Sequence, residues 1–288
     1  MVHHMSRRNF LAHSAATAAA LGPSGRLFAA EAAGPAKKND LDFPLVDYHV
    51  HRDNTTLDKL LEISRQKGVK FGIVEHAGIK AIKYPVMLST DDELKRYIAS
   101  LEGKPVYKGI QAEYVNWMDC FSKEVVAQLD YVLTDAMTIR QDGKPQKMWE
   151  PGLKIGNEER FMDAYVDFYL EILTTEPIDI LANASWLPGA MGKAYDALWS
   201  EKRVQKVVDA AVKYGVAIEI SSSLRLPELP WLKMAKEAGA KVSFGSNIRG
   251  PEVGKMDYCV EMAKKLGLTR EQMFTPAPPG KKAIQRRG

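Results

Sequence analysis

The 288-residue chain is poor in the residues that announce most chemistries: it has two cysteines and six histidines, and no apolar run of bilayer length. Two cysteines, Cys120 and Cys259, exclude a disulfide framework and predict two independent thiols. The weakly apolar stretch from Phe10 to Leu21 is too short, and too poor in Leu, Ile and Val, for stable membrane insertion. An excess of one charge is also missing, with 40 basic against 36 acidic residues and a formal net charge of +4. Without the first 32 residues the balance is 37 to 35, which argues against a nucleic-acid partner. There is no glycine-rich phosphate loop and no dinucleotide fingerprint. Ser221-Ser222-Ser223 has no histidine or lysine placed to activate it, so a serine nucleophile is not expected. What is present, 45% apolar and 26% charged residues, describes a folded globular body of one large domain or two small ones.

The N-terminus reads as an address. Ser6-Arg7-Arg8-Asn9-Phe10-Leu11 opens the alanine-rich run, and Ala29-Ala30-Glu31-Ala32 supplies small residues for cleavage. The segment resembles a twin-arginine export signal, with Ala12 where a lysine usually follows. The resemblance implies the twin-arginine translocase as a partner during export and a periplasmic or secreted location. It also implies folding before export, often around a cofactor. Residues 1–32 are then the signal, 33–42 a linker, 43–274 the folded domain and 275–288 a Pro-rich, basic tail. His3, His4 and His13 leave with the signal, so the mature chain keeps only His49, His51 and His76, all within 28 positions.

After Phe43, short β-branched runs alternate with amphipathic stretches, the pattern of parallel α/β folds. Strands are predicted at Leu45–Val50, Phe71–Glu75, Tyr107–Glu113, Tyr131–Asp135, Ile178–Asn183, Ala217–Ser221 and Lys241–Gly245. Helices are predicted at Thr56–Lys67, Thr90–Leu101, Phe121–Gln128, Glu158–Thr174, Tyr195–Tyr214, Leu229–Ala238 and Glu252–Leu266. Thr90 is a helix-starting cap, and Gly68, Gly215 and Gly239 are helix stops. Seven strand–helix units without a composition break predict a closed or nearly closed barrel in one domain, with a doubly wound open sheet as the alternative.

In β/α barrels chemistry gathers at the carboxyl ends of the strands. Here those ends read Asp47-Tyr48-His49-Val50-His51, Glu75-His76-Ala77-Gly78, Gln111-Ala112-Glu113, Thr134-Asp135-Ala136-Met137, Ala182-Asn183-Ala184-Ser185, Glu219-Ile220-Ser221 and Gly245-Ser246-Asn247-Ile248-Arg249. Strand alternation places His49 and His51 on one side, facing inward at a barrel mouth. In this order the motifs resemble those of the polymerase-and-histidinol-phosphatase (PHP) domain family over roughly Leu45 to Leu268. The resemblance implies a distorted seven-stranded, TIM-like (β/α)7 barrel with a metal cluster at its mouth.

By that resemblance His49 and His51 are metal ligands, Glu75-His76 is the acidic-His pair of strand two, and Glu113 is the bridging glutamate. Four further ligands of the family are replaced. Met137, Asn183 and Arg249 stand where histidines are usual, and Asn247 where an aspartate is. Three histidines do not suffice for a three-metal cluster, so the expectation is one divalent ion at most, zinc, manganese or iron, held by His49, His51 and Glu113, with Asn247 and Asp135 as further candidates. The implied function is an exported metal-dependent hydrolase, and more narrowly a phosphoesterase acting on a small anionic substrate with one metal-activated water. His76 or Glu75 would be the general acid, and Arg249 and Arg225 would stabilise the developing oxyanion. The alternative is a degenerate barrel that binds a small anionic or sugar-like ligand without turnover, because Arg249 places a cation where a ligand is expected. Arg52, Lys80, Lys83 and Arg140 also follow strand ends, where they either face a bound anion or are ordinary surface charge, the latter being the expectation for each. Trp117, Trp149, Trp186 and Tyr114 read as either mouth platforms or loop packing.

Overall fold

The computed structural model describes residues 40–53 and 55–278. The segment that reads as an export signal, most of the expected linker and the last ten residues of the chain lie outside the described residues. Seven parallel strands carry the architecture: β1 (Val46–His51), β2 (Lys70–Val74), β3 (Tyr107–Ala112), β4 (Tyr131–Thr134), β5 (Ile180–Leu181), β6 (Ala217–Ser221) and β7 (Val242–Gly245). They hydrogen-bond in sequence order, from β1 through to β7. β7 returns beside β1, where the Asn247 N–H donates to the His49 carbonyl at 3.1 Å. The Asp47 carboxylate bridges the same seam, accepting from the Ser246 N–H at 2.8 Å and the His49 N–H at 3.1 Å. The barrel is thus nearly closed, and the open-sheet alternative is set aside.

The helices are α1 (Leu57–Lys67), α2 (Asp91–Leu101), α3 (Lys123–Val126), α4 (Glu158–Thr175), α5 (Tyr195–Leu198), α6 (Glu201–Tyr214), α7 (Leu229–Glu237) and α8 (Asp257–Leu266). Predicted caps hold where they are local. Thr90 accepts from the Glu93 N–H at 3.3 Å, and Gly68 and Gly215 end their helices at φ 65° and 67°. Elements that depend on distant partners differ from expectation. The predicted Tyr195–Tyr214 helix is two helices, because Trp199 and Ser200 leave helical geometry while the Trp199 indole donates to the Ser185 carbonyl at 2.8 Å. β5 pairs over only two residues, since Asn183 turns into the left-handed region at φ 48°. An antiparallel hairpin, Thr138–Gln141 with Lys144–Lys147, follows β4 and has no counterpart in the sequence reading. No helix among the described residues is long and apolar enough to cross a membrane.

Two apolar layers form. The larger fills the space between strands and helices, and includes Phe71, Ile110, Val132 and Phe244. The smaller fills the lower barrel interior with Tyr48, Val74, Tyr131, Leu133, Ile180, Ala182 and Ala217. A register irregularity in β1 between Asp47 and Val50 is a bulge with one extra residue. It lets Tyr48 join this apolar plug while His49 and His51 still face inward above it. The Tyr131 ring crosses the interior and its hydroxyl donates to the Tyr48 carbonyl at 2.6 Å. Gly72 and Gly109 make room for that ring, since a Cβ on Gly109 would sit 2.7 Å from Tyr131 Cε1. Gly109→Ala is therefore expected to overpack the plug by about 3 kcal/mol, lowering the melting temperature by on the order of 10 °C. Thermal unfolding followed by circular dichroism tests this, and an unchanged melting temperature would show that the plug yields.

Candidate active site

Above the tyrosine plug the inward-facing positions become polar and buried. His49, Gln111, Glu219, Asp135 and Asn183 are all nearly inaccessible. Their hydrogen bonds form one chain around the mouth. His49 Nδ1 pairs with Glu219 Oε2 at 2.8 Å, and its Nε2 with Gln111 Oε1 at 3.0 Å. His51 Nε2 meets the same Gln111 oxygen at 2.9 Å. The Gln111 amide nitrogen donates to Asp135 Oδ2 at 3.2 Å, and the Asn183 amide donates to that oxygen at 3.0 Å. Asn247 donates to Asn183 Oδ1 at 3.3 Å, and Arg249 donates to the Asn247 side chain. A single carboxamide, that of Gln111, thus occupies the point on which both imidazoles of β1 converge. Burial opposes a charge on His49, but the Glu219 carboxylate prevails and holds its pKa above the ordinary histidine value. Asp135 is raised to about 6 by burial and by nearby Glu113.

A second group lies beside this chain. His76 Nδ1 is 2.6 Å from Glu113 Oε1. The His76 ring is stacked between Tyr84, at 3.6 Å between centroids, and His51, at 4.5 Å. The Lys147 ammonium covers the outer face of Tyr84, 3.8 Å from its centroid. Burial pushes Glu113 up to about 8 and His76 down to about 3. Through the neutral range the carboxyl therefore keeps a proton, shared across the contact with Nδ1, and the neutral ring carries its own proton on Nε2. His76 Nε2 is left as the ring nitrogen outside that bond.

Three side chains at the rim have a different character. His51, Asp53 and Glu75 each offer one ligand atom, and these atoms lie within 4.8 Å of one another. His51 Nδ1 and Glu75 Oε2 are buried and have no hydrogen-bond partner among the described residues. Burying such groups unpaired is costly, so an orphaned imidazole nitrogen and an orphaned carboxylate oxygen on two residues of this group fit a cation. One nitrogen and two carboxylate oxygens match the donors that zinc, manganese or iron accept. Burial, with the Arg249 charge next, keeps His51 well below the ordinary histidine pKa, which suits it as a neutral ligand. Arg52 Nε donates to the other Glu75 oxygen at 2.9 Å, and Arg249 Nε to Asp53 Oδ2 at 2.6 Å.

The residues expected from sequence are distributed as follows. His49, His51, Asp135, Asn247 and Arg249 meet in the hydrogen-bonded chain, and Glu113 and His76 form the adjacent pair. In the expected metal set, His49, Glu113, Asn247 and Asp135 have ligand atoms committed to protein partners, whereas His51 keeps one free among the described residues. Glu75 lies among the rim ligands and is bound by Arg52. Arg225 lies apart, pairing with Glu261 at 3.1 Å and covering the Tyr258 ring. Arg140 pairs with Glu171 at 2.8 Å and Lys80 with Glu93 at 3.7 Å, as surface charges do. Trp117 is fully buried, whereas Trp149 is 43% exposed. Sequence reading gave no role to Gln111, Glu219, Asp53 or Tyr84. Gln111 and Glu219 carried a usable signal, since each is a polar residue at an inward position of its strand.

No protein-family model matches the chain, and no curated protein matches it. Among solved structures it is similar to the histidinol phosphate phosphatase of Lactococcus lactis, determined with zinc, L-histidinol and phosphate. The TM-score is 0.55 at 13% sequence identity, covering 81% of this chain and 99% of that one. That likeness, with the strand order above, gives the chain the fold of the polymerase-and-histidinol-phosphatase barrels: seven parallel strands, nearly closed and ringed by helices.

Proposed function

We propose that this chain is an exported phosphoesterase that hydrolyses a small anionic phosphate ester at the barrel mouth with the aid of one divalent ion. The observation that carries this reading is the orphaned pair His51 Nδ1 and Glu75 Oε2. With Asp53 beside them, these residues would hold the ion. When bound, such an ion polarises a phosphoryl oxygen and lowers the pKa of a bound water. The protein's own groups do the rest. Arg249 and Arg52 flank the ligands and present guanidinium donors to phosphate oxygens. His76 donates its Nε2 proton to the leaving-group oxygen while the Glu113 proton moves onto Nδ1, so the pair acts as one general acid. The Tyr84 ring shields that pair from bulk water. The fold likeness to a phosphatase and the twin-arginine-like N-terminus support the reading, and the latter makes the periplasm or the exterior the place of action.

The test is hydrolysis of a panel of phosphate monoesters by the mature protein, before and after chelation and after addition of zinc, manganese or iron. Activity that disappears with chelator and returns with one of these ions is the expected result. Inactivity across the panel under every loading condition would refute it. A second reading, a barrel that binds a small anion without turnover, is favoured by the Gln111 carboxamide between His49 and His51. The two separate at His49. Under the proposed assignment His49→Gln leaves metal content within about twofold of the parent, because His49 supports the mouth and is not a ligand. Loss of all metal from that variant would return the ion to the His49–His51 pair.

A further inference from the structure

We propose that the mouth takes its divalent ion and a phosphate dianion as a pair, each raising the protein's affinity for the other. The inference rests on the ion site formed by His51, Asp53 and Glu75. Both carboxylates of that site are already matched by an arginine, Glu75 by Arg52 at 2.9 Å and Asp53 by Arg249 at 2.6 Å. Neither guanidinium is loosely held. Arg52 Nη1 also donates to Ser100 Oγ at 3.2 Å, with the guanidinium 5.2 Å from the Tyr97 ring centre. Arg249 Nη1 is anchored to the Asn247 carbonyl at 3.2 Å.

Two carboxylates against two guanidiniums leave the ligand group without net charge, so an ion adds two positive charges there. His51 and Glu75 are buried, so water screens that charge poorly. The groups around them do not compensate. Glu113 is paired with His76, Glu219 with His49, and Asp135 is tied to Gln111 and Asn183. Lys147 above Tyr84 adds a further positive charge. A doubly charged phosphate restores the balance, and the Nη2 groups of Arg52 and Arg249, outside the bonds above, are donors for its oxygens. In this arrangement the arginines weaken the ion when it binds alone and strengthen it when phosphate is present, and linkage makes the effect reciprocal.

The experiment titrates manganese into the mature protein, following free manganese by electron paramagnetic resonance, with and without inorganic phosphate at matched ionic strength set by chloride. The expected result is a dissociation constant at least about tenfold lower with phosphate, a typical coupling between linked sites. Complexation of manganese by phosphate in solution also removes free-ion signal, so a protein-free titration with the same phosphate sets the baseline from which protein binding is read. Arg249→Gln, with Arg52→Gln as a second variant, is expected to bind manganese more tightly without phosphate and to lose most of the phosphate effect. Equal affinity with and without phosphate, or a phosphate effect that survives in both variants, overturns the pairing while leaving the ion site in place. No manganese binding under either condition overturns the ion site and the pairing with it.

Discussion

Glu75→Gln is expected to weaken divalent-ion binding by at least about 100-fold and to abolish hydrolysis, since loss of a group merely supporting a ligand costs 10–100-fold in metal affinity. Glu75 has one oxygen on Arg52 and the other buried without a partner among the described residues. Glutamine preserves volume and one acceptor, so the bond from Arg52 survives. What it removes is the negative charge, and it sets a neutral amide against the ion. Burial raises the Glu75 pKa, with the hydrogen bond and charge of Arg52 acting against that rise. Metal content measured after equilibration with zinc or manganese, together with circular dichroism to confirm folding, decides the matter. A folded Glu75→Gln protein with the parent's metal content would remove Glu75 from the site. Asp53→Asn, at the more exposed rim, is expected to fall in the same direction by a smaller factor. Arg225→Ala serves as the control: its side chain pairs with Glu261 outside the mouth and its loss leaves metal content unchanged.

Hydrolysis is also expected to decline about tenfold per pH unit above about 8, and Glu113→Gln to lower it by about 100-fold, in the range of a lost general acid. Glu113 is raised to about 8 from the ordinary 4.5 by burial, against the opposing effects of Tyr84 and Lys147. Below that value its proton backs the imidazole of His76, and above it the donor is spent. The same proton has a stability consequence of definite sign. Between the unfolded and folded pKa values the native state binds one more proton than the unfolded chain, so stability falls as pH rises through that interval. Asp135, raised to about 6, contributes to the lower part of the slope, and above the ordinary histidine value His49 adds to the part that Glu113 supplies. Glu113→Gln should therefore flatten the decline in melting temperature between pH 6 and 8 at the same time as it lowers the rate. If the rate falls while the slope persists, Glu113 is ionised in the folded protein and the relay through His76 is wrong.

Much of the fold was legible because it rests on local rules. Alternation of β-branched runs with amphipathic stretches found all seven strands, and Thr90, Gly68 and Gly215 act as caps through bonds within a few residues. The misjudged elements are those settled by distant contacts. Trp199 interrupts a good helical pattern because its indole bonds to Ser185, and β5 is cut short by the turn at Asn183. The hairpin at Thr138–Lys147 was missed, although Asp142-Gly143 is the kind of dipeptide that turns one.

The site divides along the same line. By itself the sequence determined that His49, His51, Glu75, His76, Gln111, Glu113, Asp135, Glu219 and Asn247 stand at or near the ends of parallel strands, because strand order and side-chain alternation follow from short-range pattern. Only the tertiary structure decided which of them are spoken for. Closing the barrel brings Glu219 to His49 across 170 positions and Gln111 to both imidazoles of β1, which ties up His49, and Glu113 is taken by His76. The imidazole nitrogen of His51 and the carboxylate oxygen of Glu75 that stay buried and unpaired among the described residues follow from register, bulge and closure. These depend on packing across the whole barrel and leave no mark in the spacing of residues along the chain.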